Sequence, residues 1–128
     1  MEELAAELHR QHAPAFAHAR EIAGSGGRES VTWQGVWNWT VEFRHNGDVG
    51  PALAYLIPDP DRPRVCVPIP EEAIAALGAK RLAKHVKDSL SHAPVVQGVR
   101  WPVWDIHSKA EIEEILGLME VRMPAKVV

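Results

Sequence analysis

A chain of 128 residues with 46% hydrophobic and 24% charged side chains is long enough for one domain with a continuous core and too apolar for disorder. A net charge of −3 excludes a protein held non-specifically on phosphate backbones, and no window approaches the roughly 20 apolar residues that cross a bilayer, so neither nucleic acid nor membrane is an expected partner. The single cysteine, Cys66, cannot form an intramolecular disulfide and sits as a small hydrophobe in Val65-Cys66-Val67, which fits a reducing, cytoplasmic compartment.

Taken in chain order, Glu2 to Ala23 is alanine-rich and carries Leu4, Leu8, Phe16, Ala19 and Ile22 roughly on one side, the pattern of a helix. Pro14 removes a backbone donor and implies a kink or two short helices meeting near Ala13. Gly24 to Ser30, GSGGRES, ends the helix and reads as a flexible connector. The organisation expected is therefore a helical segment over 1–23, a linker over 24–30 and a single α+β domain over 31–128.

Beyond the connector the period changes to two. Trp37, Trp39, Val41 and Phe43 alternate with Asn38, Thr40 and Glu42, which predicts a half-buried strand with both tryptophans in the core. The Asn-Gly pair in RHNGDVG predicts a hairpin, since both central residues of a type I′ turn need positive φ. A second strand returns over Ala52 to Ile57, and Arg64 to Ile69 supplies a third, with Pro68 at an edge or an end. Pro70 to Leu77 has the proline and acids of a helix N-terminus, with Gly78 placed to end it. A further helix carries Leu82, Val86 and Leu90 as its apolar stripe, with Lys80, Arg81, Lys84, His85 and Lys87 as a local basic face. Val96 to His107 reads as a fourth strand, and Ser108 to Glu111 forms a capping box before Ile112, Ile115, Leu116 and Met119 at helical spacing. The fold expected is α+β: an antiparallel sheet of about four strands, a meander plus a final strand, with helices mainly on one face.

The stretches TWQGVWNWTVEF, LAYLIP and GVRWPVWDIHSKAEIEEILGLMEVRM, from Trp33 to Met123, resemble a family of small bacterial proteins known only as a domain of unknown function. That family is distantly similar to the YdhG-like domains, some of which are described as frataxin-like iron chaperones. The resemblance implies a final strand opening with a glycine and a basic residue, here Gly98 and Arg100. It also implies iron handling as an alternative function, although the short run Glu2, Glu3 and Glu7 is the nearest this chain comes to an acidic edge of the frataxin kind.

Three residues stand out as a candidate ligand site. Trp33 precedes the regular alternation, so it forms either a pocket wall or a staple that holds the loop on the sheet. Trp101 and Val103 share one face of the final strand while Pro102, Trp104 and Ile106 share the other, leaving two apolar faces to cover. The N-terminal helix, a second copy of the chain or a ligand would serve. Arg100, beside Trp101, would either hold a carboxylate or phosphate by a bidentate contact or stack on the indole.

The chemistry otherwise searched for is thin. His9 and His12 share a helical face but lack the third and fourth ligands of a metal site, so no metal and no cofactor is assigned. GxSxG, GxGxxG and phosphate-loop patterns are absent. Asp105 and His107, two apart on a strand, would allow an acid and its orienter, but no nucleophile accompanies them. The function expected is a non-catalytic module that binds a small anionic ligand or a protein partner, including a second copy, around Trp33, Arg100 and Trp101. The alternatives are metal handling and an enzyme with an unrecognised site.

Overall fold

The computed structural model describes residues 13–34, 38–44, 52–59, 62–77, 83–106 and 109–121. In chain order these form α1 (Ala13–Gly26), β1 (Arg28–Gln34), β2 (Asn38–Arg44), β3 (Ala54–Ile57), β4 (Arg64–Cys66) and β5 (Ile69–Pro70). They continue with α2 (Glu71–Leu77), α3 (Lys84–His92), β6 (Val95–Val96), β7 (Val99–Arg100), β8 (Val103–Asp105), α4 (Lys109–Gly117) and a 3-10 turn at Leu118–Val121. Strands β1, β2, β3, β4 and β8 make one five-stranded sheet in that order, each neighbouring pair antiparallel. A small second sheet orders β5, β7 and β6. The architecture is the expected α+β, with five strands in the principal sheet.

Helical periodicity and strand alternation meet in one core. From α1 come Phe16, Ala19 and Ala23, from α3 Val86 and Leu90, and from α4 Ile112, Ile115 and Leu116, all packed with Val41, Phe43, Leu56, Val65 and Trp104 of the principal sheet. The alanines at positions 19 and 23 leave no exposed surface and bring the backbone of α1 close to the sheet. The N-terminal helix is thus part of the domain core, and as far as it is described it lies on the same face as α4.

The connector expected over 24–30 is taken up by regular structure: Gly24 to Gly26 complete α1, and Arg28 to Ser30 open β1. Gly27 makes the join. Its amide donates to the Ala23 carbonyl at 3.1 Å, and a Cβ at this position would stand 3.1 Å from the Arg44 nitrogen and the Phe43 carbonyl carbon. A side chain here would press on the β2 backbone, and glycine lets the helix end lie this close without displacing it. The clamp is completed from α1 by Arg20, whose guanidinium holds Glu29 of β1 through two bonds of 2.7 and 2.9 Å.

The fourth strand expected over Val96 to His107 is broken into three. Gln97 and Gly98 both take positive φ, 51° and 77°, so the chain turns back on itself between β6 and β7. Among its described residues only Val103 to Asp105 reaches the principal sheet, where Arg64 pairs with Asp105 and Cys66 with Val103. In the same way Arg64 to Ile69 divides at Pro68, and β5 leaves to join the second sheet.

Trp39 overturns the expectation that it is buried. It shares a side of β2 with Val41 and Phe43, which are fully buried, yet it is 52% exposed. Alternation set its side correctly, but none of the described helices buries it. Trp37, the 44–50 hairpin turn beyond Arg44, His9 and His12, and the capping Ser108 lie outside the described residues.

Candidate functional site

The three residues singled out by sequence do not form one site. Trp33 pairs with Trp39 across β1 and β2, on the face that the helices cover elsewhere. Trp101 packs on the opposite face, against Tyr55, Cys66 and Val103. Arg100 belongs to the second sheet.

At the first location two rings meet edge to face, with centroids 5.3 Å apart and planes at 78°. Such T-shaped packing sets the positive edge of one ring on the negative face of the other, which fixes both side chains beyond what their burial would. Trp33 is 58% and Trp39 52% exposed, and Val31 beside them is 40% exposed. All three project from the same side of an outer strand pair, because Val31 lies opposite Val41 and Trp33 opposite Trp39 in the register. Strand β1 is the outermost of the principal sheet, bonded to β2 and to no other described strand.

At the second location the donors of Arg100 are directed inward. Its Nε donates to the Glu71 carboxylate at the start of α2, Nη2 reaches the other Glu71 oxygen at 3.4 Å, and Nη1 donates to the Leu90 carbonyl at 2.9 Å. The Glu71 hydrogen bond raises the already high pKa of the guanidinium, so it remains charged at any working pH. Arg100 therefore ties β7 to α2 and to the end of α3, and does not stack on Trp101. The Gly98 carbonyl accepts from the Glu71 amide at 2.9 Å, so the turn before Arg100 belongs to the same clip.

At the third location Trp101 is half-buried, its ring 5.9 Å from that of Tyr55. Its indole nitrogen is buried without a hydrogen-bond partner among the described residues. The Tyr55 hydroxyl accepts from the Ala52 amide at 3.1 Å, which holds this aromatic pair against the sheet. Cys66 lies beneath, and burial pushes its thiol far above the ordinary range, so it stays protonated and a poor nucleophile.

The other candidates are engaged locally. His18 meets Glu113 at 3.0 Å, joining α1 to α4, and Asp105 accepts from Arg62 at 2.6 Å. Among the described residues no three histidine, cysteine, aspartate or glutamate side chains are grouped as a cation site would require, and no helix is long and apolar enough to cross a membrane. No family model, no curated protein and no solved structure matches the chain.

The sequence reading missed Trp39 as an exposed ring. The signal available for it was the pairing of two tryptophans near the ends of successive strands, where a covering layer is most prone to stop.

Proposed function

We propose that this chain is a non-catalytic assembly module that pairs with a second copy of itself along β1, with Trp33 and Trp39 at the contact. The observation that carries this reading is the line of exposed Val31, Trp33 and Trp39 on the outer strand pair. Two half-exposed indoles leave on the order of 100 Å² each in water, and withdrawing that area is worth roughly 2–3 kcal/mol per ring at about 25 cal/mol per Å². Rings standing on a strand at the margin of a sheet favour a polypeptide partner, which can add main-chain hydrogen bonds to the apolar contact.

The residues of β1 favour an identical partner. Val31 is the midpoint of Arg28–Gln34. Antiparallel pairing about it sets Val31 opposite Val31 of the other copy, Ser30 opposite Thr32, Glu29 opposite Trp33, and Arg28 opposite Gln34. No like charges meet in that register, and Glu29 already has its charge answered by Arg20. A two-fold contact of this kind joins the two principal sheets into one.

Light scattering over a range of protein concentrations tests the reading. The expected result is a mass of two chains for the native sequence and one chain for Val31→Lys, which places a charge at the centre of the contact while β1 and β2 remain paired within each copy. Native protein that stays at the mass of one chain up to high micromolar concentration would refute self-assembly. A dimer unaffected by Val31→Lys would move the interface elsewhere.

A further inference from the structure

At the opposite margin of the sheet, a cavity of about 420 Å³ lies between the β4–β8 pair and α3. His85 and Ser89, one helical turn apart, face it from α3, while Arg64, Val103, Trp104 and Asp105 face it from the strands. Its size falls in the lower part of the usual range for small-molecule sites, about 300–1,000 Å³. None of these residues takes part in the contact proposed at β1.

The polar groups around the cavity have a consistent deficit. Arg62 at the rim has its guanidinium on Asp105, with Nε–Oδ1 at 2.6 Å and Nη2–Oδ2 at 3.4 Å, so these two charges answer each other. Arg64 lies opposite Asp105 in the register, and its Nε is buried with no hydrogen-bond partner among the described residues. Trp104 is 4% exposed, and its indole Nε1 is likewise buried without a partner. Both atoms are donors that cannot accept, so only an acceptor can satisfy them, and leaving a buried donor unmade is costly. His85, half-exposed, has its Nε2 4.0 Å from Glu111. Val103, on the same side of the strand pair as Arg64, supplies the apolar wall.

We propose that this cavity binds a small organic carboxylate, the acid group on the Arg64 guanidinium and the apolar body against Val103. The lining carries two guanidiniums against one carboxylate, so one negative charge balances it, and a planar carboxylate suits the guanidinium fork. A doubly charged phosphate would bring its second charge toward Asp105.

The full chain labelled with ¹⁵N tests this by titration with acetate, hexanoate, benzoate and phenylacetate, each beside its neutral amide, and with inorganic phosphate. The expected result is saturable movement of the Trp104 indole N–H resonance, assigned by its loss in Trp104→Phe, with at least one carboxylate and with none of the amides. Arg64→Gln should weaken that binding by roughly ten- to a hundredfold while the unliganded spectrum elsewhere is retained. If Arg64→Gln does not fold, the carboxylate against amide contrast in the native chain decides alone. No movement with any carboxylate, equal movement with the matching amide, or tighter binding of phosphate would overturn the proposal.

Discussion

The two ends of the face formed by β1 and β2 differ in what lies over them. At one end Val41 and Phe43 leave no exposed surface, covered by α1 and α4; at the other, Val31, Trp33 and Trp39 follow the same alternation and stand half in water. The strands are the same and the register is continuous from Arg28–Arg44 to Gln34–Asn38, with apolar side chains on this side of β2 at both ends. Alternation therefore settles the side on which a residue points, whereas burial depends on where the second layer begins and ends. An apolar residue on the correct side of a strand is a core residue only if something distant in sequence arrives above it.

The largest expected effect is at the covered end. Phe43→Ala should destabilise the fold by about 3–5 kcal/mol in urea unfolding, since it removes a fully buried ring and leaves a cavity that α1 cannot fill without moving. A loss below about 1 kcal/mol would mean that the helical layer does not press on this end and would dissolve the contrast.

A smaller effect belongs to the uncovered end. In a Val31→Lys background, which keeps the chain as one copy, Trp33→Ala should cost about 1–2 kcal/mol, its edge-to-face contact with Trp39 together with the covered part of the ring. Urea unfolding checks this directly. A cost equal to that of Phe43→Ala would show Trp33 acting as a core residue after all.

The smallest effect concerns the clamp that holds α1 to the sheet. Arg20 lowers the Glu29 pKa below its ordinary value of 4.5 chiefly by hydrogen bonding, with its charge adding to the effect against an opposing desolvation. A carboxyl whose folded pKa is depressed binds fewer protons folded than unfolded, so its contribution is present above the ordinary value and disappears as pH falls through the folded value. Arg20→Ala should thus cost about 0.5–1 kcal/mol at neutral pH, a modest figure because both side chains keep about a third of their surface. The gap from the native protein should hold down to about pH 5 and close below 4.5, as read from thermal unfolding at a series of pH values. A gap that widens on acidification would contradict the assigned cause.

Legibility in the sequence followed the range of the interactions involved. The α4 stripe of Ile112, Ile115 and Leu116 and the β2 alternation are local periodicities, and both elements formed where expected. The turn at Gln97 and Gly98 escaped because glutamine seldom takes positive φ, so the stretch resembled one long strand rather than a reversal. The Gly24 to Ser30 stretch looked like a linker because its glycines disfavour helix in isolation, whereas packing of α1 on the sheet outweighs that local cost. Arg100 was recognised as a guanidinium beside an aromatic, but its partners Glu71 and Leu90 come from separate helices. The pairing that brings Arg64 beside Trp104 and Asp105 joins positions some forty residues apart and had no local trace.

By itself the sequence determined the elements whose evidence lies within a turn or a strand: apolar period, proline and glycine punctuation, and the α+β class that follows from their order. The tertiary structure decided which apolar side chains are covered, which arginines are answered by a carboxylate, and which buried donors lack an acceptor. Those outcomes depend on the meeting of distant segments, and neither a covering layer nor a charge partner is a property of the residue that receives it.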